Sequence, residues 1–504
     1  MVVEALQWAA SIDDAGASRF LAGDRFLTPR EDTIEFGALS LLPPLLAIGF
    51  AIYTRQVYLS LAAGIWIGWT IIMGWNPIAG LAGAVAGTVT TITDGGNASV
   101  IMFTFTIGAL IALVEASGGV RGFVKWVEDR RWVDDGRKAQ ILAWMLGVII
   151  FIESNITVLV AGSISRPLFD RYRVSREKLA YLIDSTSAPV CILIPFNAWG
   201  AYILGVLATL GVSEPVSVLV ASIPLNFYAI AALAVAGISA FRQLDIGPMR
   251  AAQARTAGGE LHWEHAVALA DPEEMAPPPR AGIPLRPINM ALPIVVMVLM
   301  MPVSMYVTGD GDIMAGSGST SVLWAVLTAV GVAWLLSLGQ RLLNLEQLSR
   351  VSLQGAGALT GMALVLLLAI TLAAVTVEMG TGDYVAGIVG GRVPLPLLLP
   401  LLFLVAGGIA FATGSSWGTF GIMLPMAVPI ATTLGLPVAP FVAAVLSGGI
   451  FGDHSSPISD TTIVSSLASA SDHIEHVRTQ IPYVILAGGA AILGFVLTGA
   501  WLTL

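Results

Sequence analysis

Gly452-Asp453-His454-Ser455-Ser456-Pro457-Ile458-Ser459-Asp460-Thr461-Thr462 interrupts residues 437–470, a stretch otherwise made of apolar and small side chains. A proline removes a backbone donor, and the flanking Ser and Thr hydroxyls bond locally, so a helix entering this stretch breaks and frees carbonyl oxygens. Such a break is tolerated at membrane depth only where protein or a water-filled cavity surrounds it. Three further interruptions have the same character. They are Glu153 to Thr157 within 139–165, Asp184 to Pro189 within 179–210, and Thr413 to Thr419 within 395–433.

The rest of the chain fits a membrane reading. Of 504 residues 56% are hydrophobic and 11% charged, against about 25% charged in ordinary soluble domains. A soluble globule of this size has too little interior for that apolar surface, and disordered chains are poor in it. One cysteine, Cys191, excludes a disulfide framework or a multi-cysteine zinc site. The net charge of −9 with scattered basic residues speaks against a nucleic-acid partner. The bilayer is the expected partner, and no cofactor is expected beyond transported Na⁺ and H⁺.

Apolar runs of spanning length lie near 39–53, 56–73, 99–116, 179–210, 218–240, 290–307, 320–338, 351–377 and 481–503. Residues 1–38, with seven acids and three arginines, read as a polar N-terminal arm without the basic start of a secretory signal. The Gly- and Thr-rich segment 76–98 reads as a surface stretch.

Basic residues set the sidedness. Arg121, Lys125, Arg130, Arg131, Arg137 and Lys138 precede the region 139–165, and Arg166, Arg171, Arg173, Arg176 and Lys178 follow it. By the positive-inside rule both clusters are cytoplasmic. A segment bounded by two cytoplasmic loops returns to its own side, so 139–165 reads as a re-entrant hairpin, and 395–433 as its counterpart. The fold expected is an all-α polytopic membrane protein with two inverted repeats, residues 39–240 and 288–504. Each repeat holds one hairpin and one broken transmembrane helix, and a cytoplasmic linker, 241–287, joins them. Inverted repeats with broken helices are a pattern of secondary transporters.

Intramembrane carboxylates cost about 2.5–3.5 kcal/mol on insertion scales and serve as functional candidates by default. Here they are Asp453, Asp460, Asp184 and Glu153. Ser154, Asn155, Thr157, Ser185, Thr186, Ser415, Ser416, Thr419, Ser456, Ser459 and Thr462 are the supporting polar groups, with Na⁺ expected at Asp453, Ser456 and Asp460. Oxygen donors of this kind suit a hard cation. A carboxylate in a dry pocket holds either a proton or a cation and disfavours both together, which couples the two ions.

The segment Phe451 to Thr462 resembles the motif of NhaC-type sodium/proton antiporters. So do Ala412-Thr413-Gly414-Ser415-Ser416-Trp417-Gly418-Thr419-Phe420-Gly421 and Ser471-Asp472-His473-Ile474-Glu475-His476-Val477-Arg478-Thr479-Gln480. In the first half, Ser175 to Tyr181 followed by Asp184-Ser185-Thr186-Ser187-Ala188-Pro189 is similar as well. The resemblance implies paired hairpins, an elevator-like transport domain, a homodimer and Na⁺/H⁺ exchange at the cytoplasmic membrane. At the first hairpin tip Glu153-Ser154-Asn155 stands where the family often carries an Asp-Asp-Tyr-type sequence. Relatives of the family exchange organic acids, so coupled transport of a small organic acid or amino acid is the second reading, with Asn197 and Trp199 lining its pocket.

Gly414-Ser415-Ser416-Trp417-Gly418 also fits the spacing of a nucleophile elbow, with Asp453 and His454 completing a triad. That motif needs a strand-to-helix turn, which an apolar hairpin does not offer. His473 and His476 read as a solvated cytoplasmic face, with pH sensing as the alternative, and His262 and His265 as linker residues without a specific role.

Overall fold

The computed structural model describes residues 36–503 except 55, 130–132, 152–153, 196, 264–283, 312–315, 382–383, 385–386 and 388–392. Every regular element among the described residues is helical. Among the described residues six helices are long and apolar enough to cross a membrane, and up to eight spans result if each of two bent pairs counts as one. This is a multi-pass membrane protein.

The first half opens with α1 (Leu42–Thr54), α2 (Val57–Ile72), α3 (Pro77–Thr93) and α4 (Gly95–Ala116). The segment expected to lie on the surface is instead α3, an apolar helix folded back on α2 with a bend of 117°. Asn76 caps it, its side chain accepting from the amides of Ile78 and Ala79, and Pro77 suits the first helical position. Its glycines permit this return. A Cβ at Gly80 would sit 2.2 Å from the Thr70 hydroxyl oxygen, and one at Gly83 2.8 Å from Trp69. Reading the glycines as loop formers missed their packing use.

After α5 (Gly119–Asp129), the helices α6 (Gly136–Ile149) and α7 (Ser154–Arg171) build the first hairpin. Next come α8 (Arg176–Ser185), α9 (Ala188–Leu193) and α10 (Ala198–Thr209), so the span expected to break once breaks twice, the second time around Pro195. The half closes with α11 (Pro215–Ser222), α12 (Phe227–Arg242) and α13 (Pro248–Ala257).

The second half runs α14 (Ile288–Thr308), α15 (Gly318–Gly339), α16 (Leu345–Ala358) and α17 (Thr360–Glu378). The single span expected over 351–377 is thus divided at Leu359. The second hairpin is α18 (Leu395–Thr413) and α19 (Ser416–Thr433), turning at Gly414 in the left-handed region (φ 66°). A broken pair follows, α20 (Val438–Ser455) and α21 (Asp460–Ser469), interrupted where the sequence indicated, and α22 (His473–Trp501) ends the chain.

Two apolar cores hold these elements. The smaller one joins α6, α7, α8 and α12 to Ala468 and Tyr483 of the second half. The larger one gathers most other helices around Phe103, Trp199, Phe403, Phe420 and Phe441, all buried. Contacts of α21 with α7 and α8, and of α8 with α22, bring the broken helix of each half against elements of the other.

Candidate functional site

Asp453 lies in the last turn of α20, 1% exposed. Its Oδ2 accepts from Ser416 Oγ at 2.9 Å and its Oδ1 from Ser459 Oγ at 2.7 Å. Ser416 opens α19 at the second hairpin tip and Ser459 is the N-cap residue of α21, so two helix N-termini, the positive ends of their dipoles, frame this carboxylate. The C-terminal turn of α20 also leaves carbonyl oxygens without helical partners.

Asp184, at the end of α8, is equally buried. Its Oδ2 accepts from Thr462 Oγ1 and Gln480 Nε2, each at 3.2 Å, and lies 3.8 Å from Nε2 of both His454 and His476. Gln480 Nε2 also donates to the His454 carbonyl at 2.7 Å. The Tyr228 hydroxyl meets His454 Nδ1 at 2.7 Å, and Ser185 Oγ meets its Nε2 at 3.2 Å. Among the described residues neither Asp184 nor Asp453 pairs with a lysine or arginine. Two acids in a protein interior with only neutral donors are costly to keep charged. Asp184 and Asp460 are also near enough to Asp453 for their charges to repel it.

The remaining candidates divide. Asp460 is exposed on the first turn of α21, where its Oδ1 accepts from the Thr461 amide at 2.9 Å. Ser456 Oγ donates to the Phe411 carbonyl at 2.7 Å, tying the α20–α21 break to the second hairpin instead of reaching Asp453. Ser415 caps α19 through the Gly418 amide, and Thr419 Oγ1 donates to the Ser415 carbonyl at 2.9 Å. Thr186 donates to Leu182 O at 2.8 Å. In the first hairpin Thr157 donates to Ile150 O across the tip, and Ser154 is buried. Glu153 and the side chain of Asn155 lie outside the described residues. No group of three His, Cys, Asp or Glu side chains among the described residues is arranged to hold a metal ion, so a cation here would draw on hydroxyls and carbonyls as well.

One turn of α10 links the two hairpin tips. Asn197 Nδ2 donates to Phe151 O at 3.2 Å in the first tip and to Cys191 O at 2.8 Å, while its Oδ1 caps the amides of Trp199 and Gly200. Trp199 packs on Trp417 of the second tip with ring centroids 4.9 Å apart, and Tyr202 donates to the Trp417 carbonyl. Trp199 Nε1 is buried without a hydrogen-bond partner among the described residues. Ser416 bonds Asp453, and the His454 nitrogens face Tyr228 and Ser185, so the three members of a hydrolytic triad are not assembled.

The sequence reading missed His476 and Gln480. His473, His476 and Gln480 fall on one helical face (i, i+3, i+7), and α22 turns that face toward α8 and α21. His476 is fully buried, which corrects the solvated-face expectation. The periodicity was the available signal, hidden because charged Glu475 and Arg478 interleave it. His262 has a partner too, Arg176 Nη1 at 3.0 Å, whereas His265 is outside the described residues.

Helix breaks of opposite halves that meet around buried acids, with no lysine or arginine beside them among the described residues, are an arrangement of membrane transporters. A family model described as the Na⁺/H⁺ antiporter family matches residues 190–500, and the chain belongs to that family. It is 34% identical over 484 residues to an uncharacterized protein of Haemophilus influenzae, covering 91% of this chain and 90% of that one. A shorter match, 38% identical over 128 residues, is to the malate-2H⁺/Na⁺-lactate antiporter of Bacillus subtilis, covering 22% of this chain and 27% of that protein. In fold the chain resembles the Alcanivorax borkumensis YdaH transporter, with a TM-score of 0.53 and 14% identity over 83% of this chain and 87% of that one.

Proposed function

We propose that the protein exchanges Na⁺ for H⁺ across the cytoplasmic membrane by alternating access. The observation that carries this reading is the pair of buried carboxylates with no lysine or arginine partner among the described residues. Asp453 is held by two hydroxyls, and Asp184 by amide and hydroxyl donors beside two imidazoles. We assign Na⁺ to the Asp453 side, where carbonyl oxygens of the α20 end add to Ser416 and Ser459, and the proton to Asp184. Charge repulsion between the two acids favours discharging one when the other ionises. The recurrence of hairpin, broken helix and closing helix in both halves supports an inverted repeat, with the site where the breaks meet.

Proteoliposomes with an imposed pH gradient test this. Added Na⁺ is expected to dissipate the gradient in the wild type and not in Asp453→Asn. A wild type that ignores Na⁺ across pH 6 to 9 would reject the exchange.

A second reading is coupled movement of a small organic acid or amino acid. It is favoured by the unpartnered Trp199 Nε1 between the hairpin tips and by the similarity to the malate/lactate antiporter. Lactate or malate uptake driven by a sodium gradient would separate it from the first.

A further inference from the structure

We propose that His473, Ser466 and His476 form a proton route from the cytoplasmic face to the Asp184 carboxylate. The inference rests on the reading of the protein as a proton-coupled antiporter and names the groups that deliver its proton.

The route begins at a basic surface. His473, the first residue of α22, is half-buried. The Ala470 carbonyl three residues earlier accepts from Arg176 Nη1 at 3.2 Å, inside the basic cluster that the positive-inside rule puts in the cytoplasm. One turn further along α22, His476 is fully buried.

Hydrogen-bond chemistry fixes where the hydrogens sit. His473 Nε2 is 2.6 Å from the Pro457 carbonyl, which can only accept, so this nitrogen carries hydrogen. Gln480 spends its amide N–H groups on two acceptors, the His454 carbonyl and Asp184 Oδ2. Its Oε1 therefore faces His476 Nε2 at 2.9 Å as an acceptor, and that nitrogen carries hydrogen too. Both rings then turn Nδ1 toward one hydroxyl, Ser466 Oγ, at 2.9 Å from His473 and 2.8 Å from His476.

A single hydroxyl hydrogen cannot serve two lone pairs. If it turns to the Thr462 carbonyl, also 2.9 Å away, it serves neither. With both imidazoles neutral the chain is one hydrogen short, and one incoming proton completes it. His473 Nδ1–H then donates to Ser466 Oγ, whose own hydrogen bonds His476 Nδ1. Moving each hydrogen one step breaks the O–H bond of Ser466 on one side and remakes it from His473 on the other. His473 becomes neutral, and the positive charge passes to His476. That ring releases its Nε2 hydrogen to Asp184 Oδ2 across the 3.8 Å gap by a small swing away from Gln480. This leaves His476 neutral with its hydrogen on Nδ1, and that hydrogen must exchange for one on Nε2 before the next proton passes. His454, the other imidazole at 3.8 Å from Asp184 Oδ2, meets the buried hydroxyls of Tyr228 and Ser185 instead.

Two fluxes measured in the same proteoliposomes test the route: Na⁺-driven proton movement, and exchange of labelled Na⁺ for Na⁺ at equal concentrations, which moves no net proton. Ser466→Ala and His476→Gln are expected to slow the first at least tenfold and to leave the second within twofold of wild type. The route is overturned if Ser466→Ala keeps its Na⁺-driven proton flux within twofold, or if both fluxes fall together in both variants, which marks a structural role. A wild type that moves no protons on adding Na⁺ overturns the sodium reading and the route with it, an outcome distinct from an unchanged Ser466→Ala.

Discussion

Ser416, the first residue of α19, donates to Asp453 on α20 across 2.9 Å, joining the second hairpin tip to the broken helix beside it. The bond makes the tip part of the carboxylate's environment, so movement of the hairpin changes what the acid can hold. A hydrogen bond to a charged group contributes about 1.5–3 kcal/mol, and each 1.4 kcal/mol is about tenfold in affinity. Ser416→Ala is expected to raise the Na⁺ concentration for half-maximal proton flux about tenfold or more, with the maximal rate changed far less. Asp453→Asn is expected to abolish the flux at all Na⁺ concentrations. A titration of initial rates against Na⁺ checks both, and equal losses in the two variants would argue against a supporting role for Ser416.

Gly452 precedes that acid and packs tightly against α18. A Cβ there would stand 2.0 Å from the Gly407 carbonyl oxygen and 2.7 Å from both Ala410 Cβ and the Phe411 nitrogen. Gly452→Ala must push α20 away from α18, a strain of about 1–3 kcal/mol by analogy with overpacked cores. Thermal denaturation in detergent is expected to show a lower midpoint for Gly452→Ala. Gly408→Ala, whose Cβ meets nothing within 4 Å, is expected to match the wild type.

The first turn of α8 carries a buried pair. Arg255 on α13 makes two bonds to Glu177, at 2.8 and 3.0 Å, and its guanidinium lies 4.7 Å over the Trp263 ring. The side chains are 5% and 3% exposed. Removing one member of such a pair leaves the other buried and unpaired at about 3–5 kcal/mol, whereas replacing both costs far less. Arg255→Ala is therefore expected to destabilise more than the double variant Arg255→Ala/Glu177→Gln. Melting curves for the four members of the cycle give the ordering.

How far the sequence could be read depended on which force set each feature. The α20 break was visible because Pro457 and the hydroxyls around it oppose a helix by local chemistry. The burial of Asp453 followed from its apolar flanks. The helix α3 was missed because its glycines weaken helix propensity locally, while the close approach to Trp69 and Thr70 that uses them is tertiary. Asp460 had the same local composition as Asp453 and stands exposed. The break carries it onto the exposed first turn of α21, a matter of helix placement that no spacing rule contains. His476 and Gln480 were hidden similarly, since only the docking of α22 against α8 turns their face inward.

His262 extends this docking into a pH response. It meets Arg176 at 3.0 Å and is surrounded by Arg176 and Glu177 of α8, Arg255 of α13 and Asp170 of α7. Partial burial, with Arg176 and Arg255 beside it, holds its pKa below the ordinary value near 6.5, the two carboxylates opposing the shift only in part. A histidine with a depressed folded value binds fewer protons when docked than when free. Docking is therefore at full strength above about pH 6.5 and weakens as pH falls below it. Segment 248–263 is expected to exchange its amide hydrogens faster at pH 5.5 than at pH 7.5, relative to α20 in the same molecule. His262→Gln, which cannot gain charge, is expected to flatten that ratio. An unchanged ratio in the wild type would remove the histidine from any part in holding this segment down.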